Sequence, residues 1–313
     1  MDPLTNRSIP DLCKEHRHLI DNVMLHCSEE IAHDPAQFRD DLFLLRFALS
    51  HKGNLEKTVD AVKQTIAWRV QHGERLKRLR EGTEMPPGFE TMQKYIPMDI
   101  HGTTAHGDVI FVMRTGNSNI KKLCDELGEA AITEYFVFCK EMLHALLDRK
   151  SREQRRIVKC VTIMDAKNST AGNQGDRRWM TASGEGSKRT DLYYPQLLGA
   201  MVIVNLPLML RALVAIAKLF MSKRSADKLL ICPGKTRKDT ILNCPVAKAL
   251  IAPDQLPTFL GGTCACNHGR CVGGVANDFK SVVHDDDTTS AQDGQHTDSV
   301  PGADESYDPA LGH

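Results

Sequence analysis

The sequence predicts an α/β fold in which an N-terminal helical unit precedes a mostly parallel sheet flanked by helices. Three observations carry this. Apolar residues in 1–73 recur at helical spacings of three and four. From Val109 onward, short apolar runs of strand length alternate with longer helical stretches. Turn-forming residues punctuate the two kinds of segment. Strands that alternate with helices form a sheet through crossover connections, and strands covered on both faces read as unbroken apolar runs.

The elements follow in order. Residues 11–32 have weak helical character. Asp34-Pro35 breaks the chain, and 37–49 then place Phe38, Leu42, Leu45 and Leu49 on one helix face. After Gly53-Asn54, the residues Leu55, Val59, Val62, Ile66 and Val70 mark a second amphipathic helix, expected to end at Gly73. Residues 1–73 are therefore read as the helical unit. A charged stretch closing on Pro86-Pro87-Gly88 makes 74–88 a linker. Strands are expected at 109–113, 156–164, 201–204 and 228–232, with helices at 125–147, up to Thr190, and over 206–221. There is no internal repeat.

Composition narrows the function. Lys+Arg and Asp+Glu are equal at 40 each in 313 residues, so no overall field favours nucleic acid. The charges are segregated, because no Lys or Arg occurs after Lys280 while acids recur from Asp285 to Asp308. Residues 276–313 are read as a disordered acidic tail, leaving a basic body suited to an anionic membrane surface. The first residues are too charged for a secretory signal, and 10 cysteines without one read as reduced thiols of a cytoplasmic protein. The most apolar stretch, 206–221, contains Pro207, Arg211 and Lys218 and falls short of the roughly 20 residues of a membrane span.

No reaction is specified. The sequence has no glycine-rich nucleotide motif after a strand, no P-loop, no nucleophile elbow and no zincin helix. Asp165 ends a strand without a partner base and reads as a strand-end cap. Cys264, Cys266, His268 and Cys271 could complete a zinc site, but they crowd one loop without paired C-x-x-C spacing, so no metal and no cofactor are assigned. The chain reads as a non-enzyme.

Several segments together resemble the CRAL-TRIO family, in particular the fungal and plant phosphatidylinositol/phosphatidylcholine-transfer proteins. They are Asp41-Leu-Phe-Leu-Leu-Arg-Phe47, Ala67-Trp68-Arg69, Thr162-Ile-Met-Asp165, Tyr193-Tyr-Pro195 with Gly199 and Val204-Asn205-Leu-Pro207, and Leu256-Pro257 through Phe259-Leu-Gly-Gly262. The cysteine loop from Cys264 is similar to one in plant members. The resemblance implies a helical unit, a lipid-binding domain over 89–275, and an apolar cavity closed by a gate helix, with Leu208, Met209, Leu213, Ile216 and Phe220 on that gate. It implies that Cys160, Thr162 and Tyr193 face the ligand. The family's inositol site uses an Arg, a Glu and a Lys where this chain has His51, Gln196 and Lys228, so only Lys228 keeps its charge and phosphatidylinositol binding is expected to be weak.

The apolar character of 206–221 agrees with this implication, since a helix that is hydrophobic nearly all round is buried or meets lipid. The expected function is to bind a phospholipid or other hydrophobic ligand and exchange it between membranes, as a monomer that associates peripherally with them. Alternatives are a carrier for a smaller isoprenoid or retinoid-like lipophile, or a membrane-associated scaffold with a vestigial cavity.

Overall fold

Helical and alternating periodicities divide the chain as they divide the structure, a computed structural model that describes residues 6–33, 40–232 and 244–264. The helical unit contains α1 (Ile9–Glu15), α2 (Arg17–His26), α3 (Ser28–Ala32), α4 (Asp41–Ser50) and α5 (Leu55–Arg80). Asp40 caps α4 by accepting from the Phe43 amide at 3.0 Å, and Asn54 caps α5 through the Lys57 amide at 2.9 Å. Their apolar faces meet in one cluster around Leu12, Ile20, Leu45, Phe47, Val62 and Ile66.

α5 does not stop at Gly73. It continues to Arg80, because the residues beyond Gly73 are good helix formers and Leu76 and Leu79 are buried in the next core. That burial outweighs the roughly 1 kcal/mol that an interior glycine costs. The first half of the expected 74–88 linker is thus helix. The expected position of Phe38, and the whole of 276–313, lie outside the described residues.

Next come α6 (Phe89–Tyr95), β1 (Met98–Thr103), β2 (Val109–Met113), α7 (Ile120–Gln154), β3 (Cys160–Asp165), α8 (Ala171–Gln174), α9 (Arg177–Tyr193), β4 (Leu198–Val204), α10 (Arg211–Lys218), α11 (Lys223–Asp227), β5 (Leu229–Ile231) and α12 (Pro245–Leu250). The sheet order is β1-β2-β3-β4-β5, with β1 antiparallel to β2 and every other pair parallel. β1, an edge strand of mixed polarity (MDIHGT), is an element the apolar-run criterion could not find. The strand expected from Arg156 begins at Cys160, and the helix expected at 125–147 extends at both ends with a break at Gly128, whose φ is 74°.

Parallel strands in sequential order, joined by right-handed crossovers, place their connecting helices on one face of the sheet. The other face carries Ile110, Val112, Val161, Ile163, Val202 and Val204, covered by Cys244, Ala247, Ile251, Leu256 and Leu260 from the C-terminal segment. Gly262 lets that segment close. A Cβ there would lie 2.1 Å from the Leu256 carbonyl oxygen, which gives the Leu256-to-Gly262 motif a packing reason.

Candidate functional site

Between the helical face of the sheet and its helices lies a cavity of about 300 Å³, roughly twenty times the space one water needs. Its floor follows from strand alternation and register. Phe111, Thr162, Met201 and Leu229 are aligned across β2, β3, β4 and β5, and all four line the cavity. The next row, Met113, Met164 and Ile203, lines it too. One wall is α7, through Phe136, Cys139, Lys140 and Leu143. A second is α9, through Trp179, Met180, Ser183, Gly184, Ser187 and Thr190.

Segment 206–221 forms the lid. It is not one helix but a 3₁₀ turn (Leu208–Leu210) followed by α10. Leu206, Leu210, Leu213, Val214, Ala217, Phe220 and Met221 turn inward and line the cavity. The outward side is apolar as well, with Leu208, Met209 and Leu219 exposed by 77%, 79% and 78% and Ile216 by 47%. The five expected gate residues therefore split, Leu213 and Phe220 facing the cavity and Leu208, Met209 and Ile216 facing outward. The lid is anchored on α9 by close approach: a Cβ on Gly184 would sit 2.7 Å from both the Cβ and the carbonyl oxygen of Phe220.

The other site residues fall in different places. Thr162 is on the floor. Cys160 lies on the same face but one row away, aligned with Val109 and Leu198, where Leu143, Leu146 and Leu147 of α7 cover it. It is outside the cavity lining, and burial pushes its thiol up to about 11. Tyr193 is also not in the lining. Its ring stacks on Trp68 at 4.3 Å between centroids and 10° between planes, fixing the end of α9 to the helical unit. Next to it, the Tyr194 hydroxyl donates to Glu141 at 2.6 Å, and Arg80 pairs with the same carboxylate. The Tyr-Tyr-Pro motif thus holds the two parts of the molecule together.

A second, polar pocket of about 40 Å³ is bordered by Ser50, Lys140, Thr190, Asp191, Gln196, Arg224, Ser225 and Lys228, among others. Lys140 and Thr190 belong to both pockets. Gln196 donates to the Ser50 hydroxyl at 3.1 Å, and Lys228 donates to the Leu198 carbonyl. His51 is not in the lining, and burial followed by the charges of Arg224 and Lys57 lowers its pKa. The sequence motif left Lys228 as the sole cation here, whereas the fold adds Lys140 and Arg224. Sequence reasoning missed both. Lys140 carried a signal, since it interrupts an apolar stripe of α7 between Phe136 and Leu143.

Asp165 accepts from the Lys167 amide at 3.1 Å and from Asn205 at 2.7 Å, a strand-end role that ties β3 to the start of the lid. No group of three or more metal-binding side chains occurs among the described residues, which include Cys264 but not Cys266, His268 or Cys271. No described helix is long and apolar enough to cross a membrane.

A mostly parallel sheet floored mainly with apolar side chains, two helical walls and a lid with apolar residues on both sides define a protein built around an apolar cavity. Residues 93–262 match the CRAL/TRIO domain model, more than half of the chain, and the protein belongs to that family. It is similar to the Sec14 cytosolic factor of Schizosaccharomyces pombe, 27% identical over 236 residues, spanning 74% of this chain and 77% of the relative. It also resembles the phosphatidylinositol/phosphatidylcholine transfer protein SFH13 of Arabidopsis thaliana, 25% identical over 237 residues, and Protein real-time of Aedes aegypti, 23% identical over 237 residues. The matches span 73% and 75% of this chain but only 36% and 35% of those relatives. Among solved structures, Sfh5 shares the fold with a TM-score of 0.53 at 16% identity, over 71% of this chain and 80% of the Sfh5 chain.

Proposed function

We propose that this chain binds a phospholipid, or another long-chain lipophile, in the cavity and exchanges it between membranes without catalysing a reaction. The observation that carries the reading is the lid. Its inward residues complete an apolar chamber while Leu208, Met209, Ile216 and Leu219 present apolar surface to the outside. Arg211, Lys223 and Arg224 are exposed close by in sequence, an arrangement suited to resting on an anionic membrane. The relatives named as a cytosolic factor in S. pombe and a phosphatidylinositol/phosphatidylcholine transfer protein in A. thaliana support the reading.

The physical demand on such a carrier is large. Two acyl chains moved into water would cost on the order of 20 kcal/mol at about 0.8 kcal/mol per CH₂. The chamber replaces the bilayer as an apolar environment, and the lid must open only where a bilayer waits. The protein would act in the cytoplasm as a monomer and touch membranes transiently.

Vesicle-to-vesicle exchange tests the reading directly. Unmodified protein should move fluorescent phospholipid from donor to acceptor vesicles. The double variant Leu213→Asp, Phe220→Asp places two carboxylates against the chamber at a cost of several kcal/mol, so exchange should fall at least about tenfold. A folded double variant that exchanges at the original rate would remove 206–221 from the mechanism.

A further inference from the structure

Among the described residues that line the apolar chamber, Lys140 is the one that carries a charge. It stands on α7 where chamber and polar pocket meet, and no described side chain pairs with it through a hydrogen bond or ion pair. Its ammonium lies near the thiols of Cys139 and Cys160, where it favours the thiolates in part against the burial that raises both pKa values. A half-buried cation without a side-chain partner at the edge of an apolar space is placed to receive an anion through a charge-assisted hydrogen bond.

The polar pocket repeats the bias. Three cations, Lys140, Arg224 and Lys228, border it against one carboxylate, Asp191. Asp191 is already occupied as an acceptor by the hydroxyls of Ser222 and Ser225, the latter at 2.7 Å. A headgroup reaching from the chamber into this pocket passes Lys140 first and then stays in a positive environment. A choline would bring a fourth cation into that space. A headgroup with net negative charge brings more anion than cation and offsets the three that are there.

We infer that Lys140 is a specificity-determining residue that selects glycerophospholipids with net negative headgroups over phosphatidylcholine, reading charge rather than the identity of one headgroup. The inference rests on the carrier reading above and adds the ligand class to it. Lys140 is a donor to the ligand phosphate, with Thr190 beside it at the junction of the two pockets.

The test uses one vesicle population containing equal parts of phosphatidylcholine, phosphatidylserine and phosphatidic acid, so that docking to the membrane is the same for every lipid. A parallel population adds oleic acid, which offers a carboxylate in place of a phosphate. Protein is incubated, separated from vesicles, and its extracted lipid quantified by mass spectrometry. Unmodified protein should be enriched in the two acidic phospholipids on the order of tenfold over phosphatidylcholine. Lys140→Gln should still load lipid, but with enrichment reduced to within about twofold, and Lys140→Arg should keep the preference. Lys140→Met, which matches the apolar lining, supplies a second variant if the amide disturbs folding. An unmodified protein without preference, a Gln or Met variant that keeps it, or oleic acid displacing phospholipid would each overturn the inference. Failure of every form to load any lipid would instead overturn the carrier reading beneath it.

Discussion

His144 is a buried imidazole at the seam between the helical unit and the sheet domain, with its ring 5.4 Å from that of Tyr194. Its pKa is well below the ordinary value, first because burial disfavours the charged ring and then because Arg46, Arg69, Arg80 and Arg152 oppose a further positive charge. An unfolded chain protonates this histidine near pH 6.5, whereas the folded one holds it neutral. Below that pH the unfolded state binds the extra proton, so stability falls as pH is lowered, by up to about 1.4 kcal/mol per pH unit until the folded group titrates. His101, lowered by burial, adds to the same slope. Urea denaturation at pH 7.5 and 5.5 should show this loss in the unmodified protein and a smaller loss in His144→Gln. Equal losses in the two would contradict the assignment. Nothing local in the sequence marks His144, because Arg46 and Arg69 reach it only through the fold.

At the scale of elements, the proposed lid would be held closed on α9 by the close approach of Gly184 to Phe220. Gly184→Val forces the two apart, and overpacking of this kind costs about 1–3 kcal/mol. Bound lipid should then leave faster, seen as a shortened residence time when labelled lipid is chased by unlabelled vesicles. An unchanged residence time would mean that the contact does not hold the lid. Much of this layout was legible beforehand. The apolar runs at 109–113 and 201–204 marked central strands, and 206–221 was marked as unusual because it was apolar all round. β1 offers no such run, because an edge strand with one neighbour needs none and Asp99, His101 and Gly102 interrupt its apolar residues. Gly73 misled for the opposite reason, since a local helix-stop signal lost to burial of Leu76 and Leu79.

Across the whole molecule, sequence motifs and spatial roles correspond only in part. Tyr193 is expected to face the ligand, yet the Tyr-Tyr-Pro motif and Trp68 join the two parts of the protein through the Trp68–Tyr193 stack and the Tyr194–Glu141–Arg80 group. Alternation on β3 puts Cys160 and Thr162 on one face, which the family resemblance turns toward the ligand, and only the sheet register and the cover from α7 separate the two. Lys140 needed the fold to bring α7 beside α11 and the end of β4. The account rests on the chamber being occupied by lipid. Native mass spectrometry of the purified protein tests that most directly. A single added mass per chain that disappears on organic extraction, and is identified as an intact phospholipid or other long-chain lipophile, is the result expected. A spectrum of the bare chain that stays bare after incubation with vesicles of varied composition would contradict it.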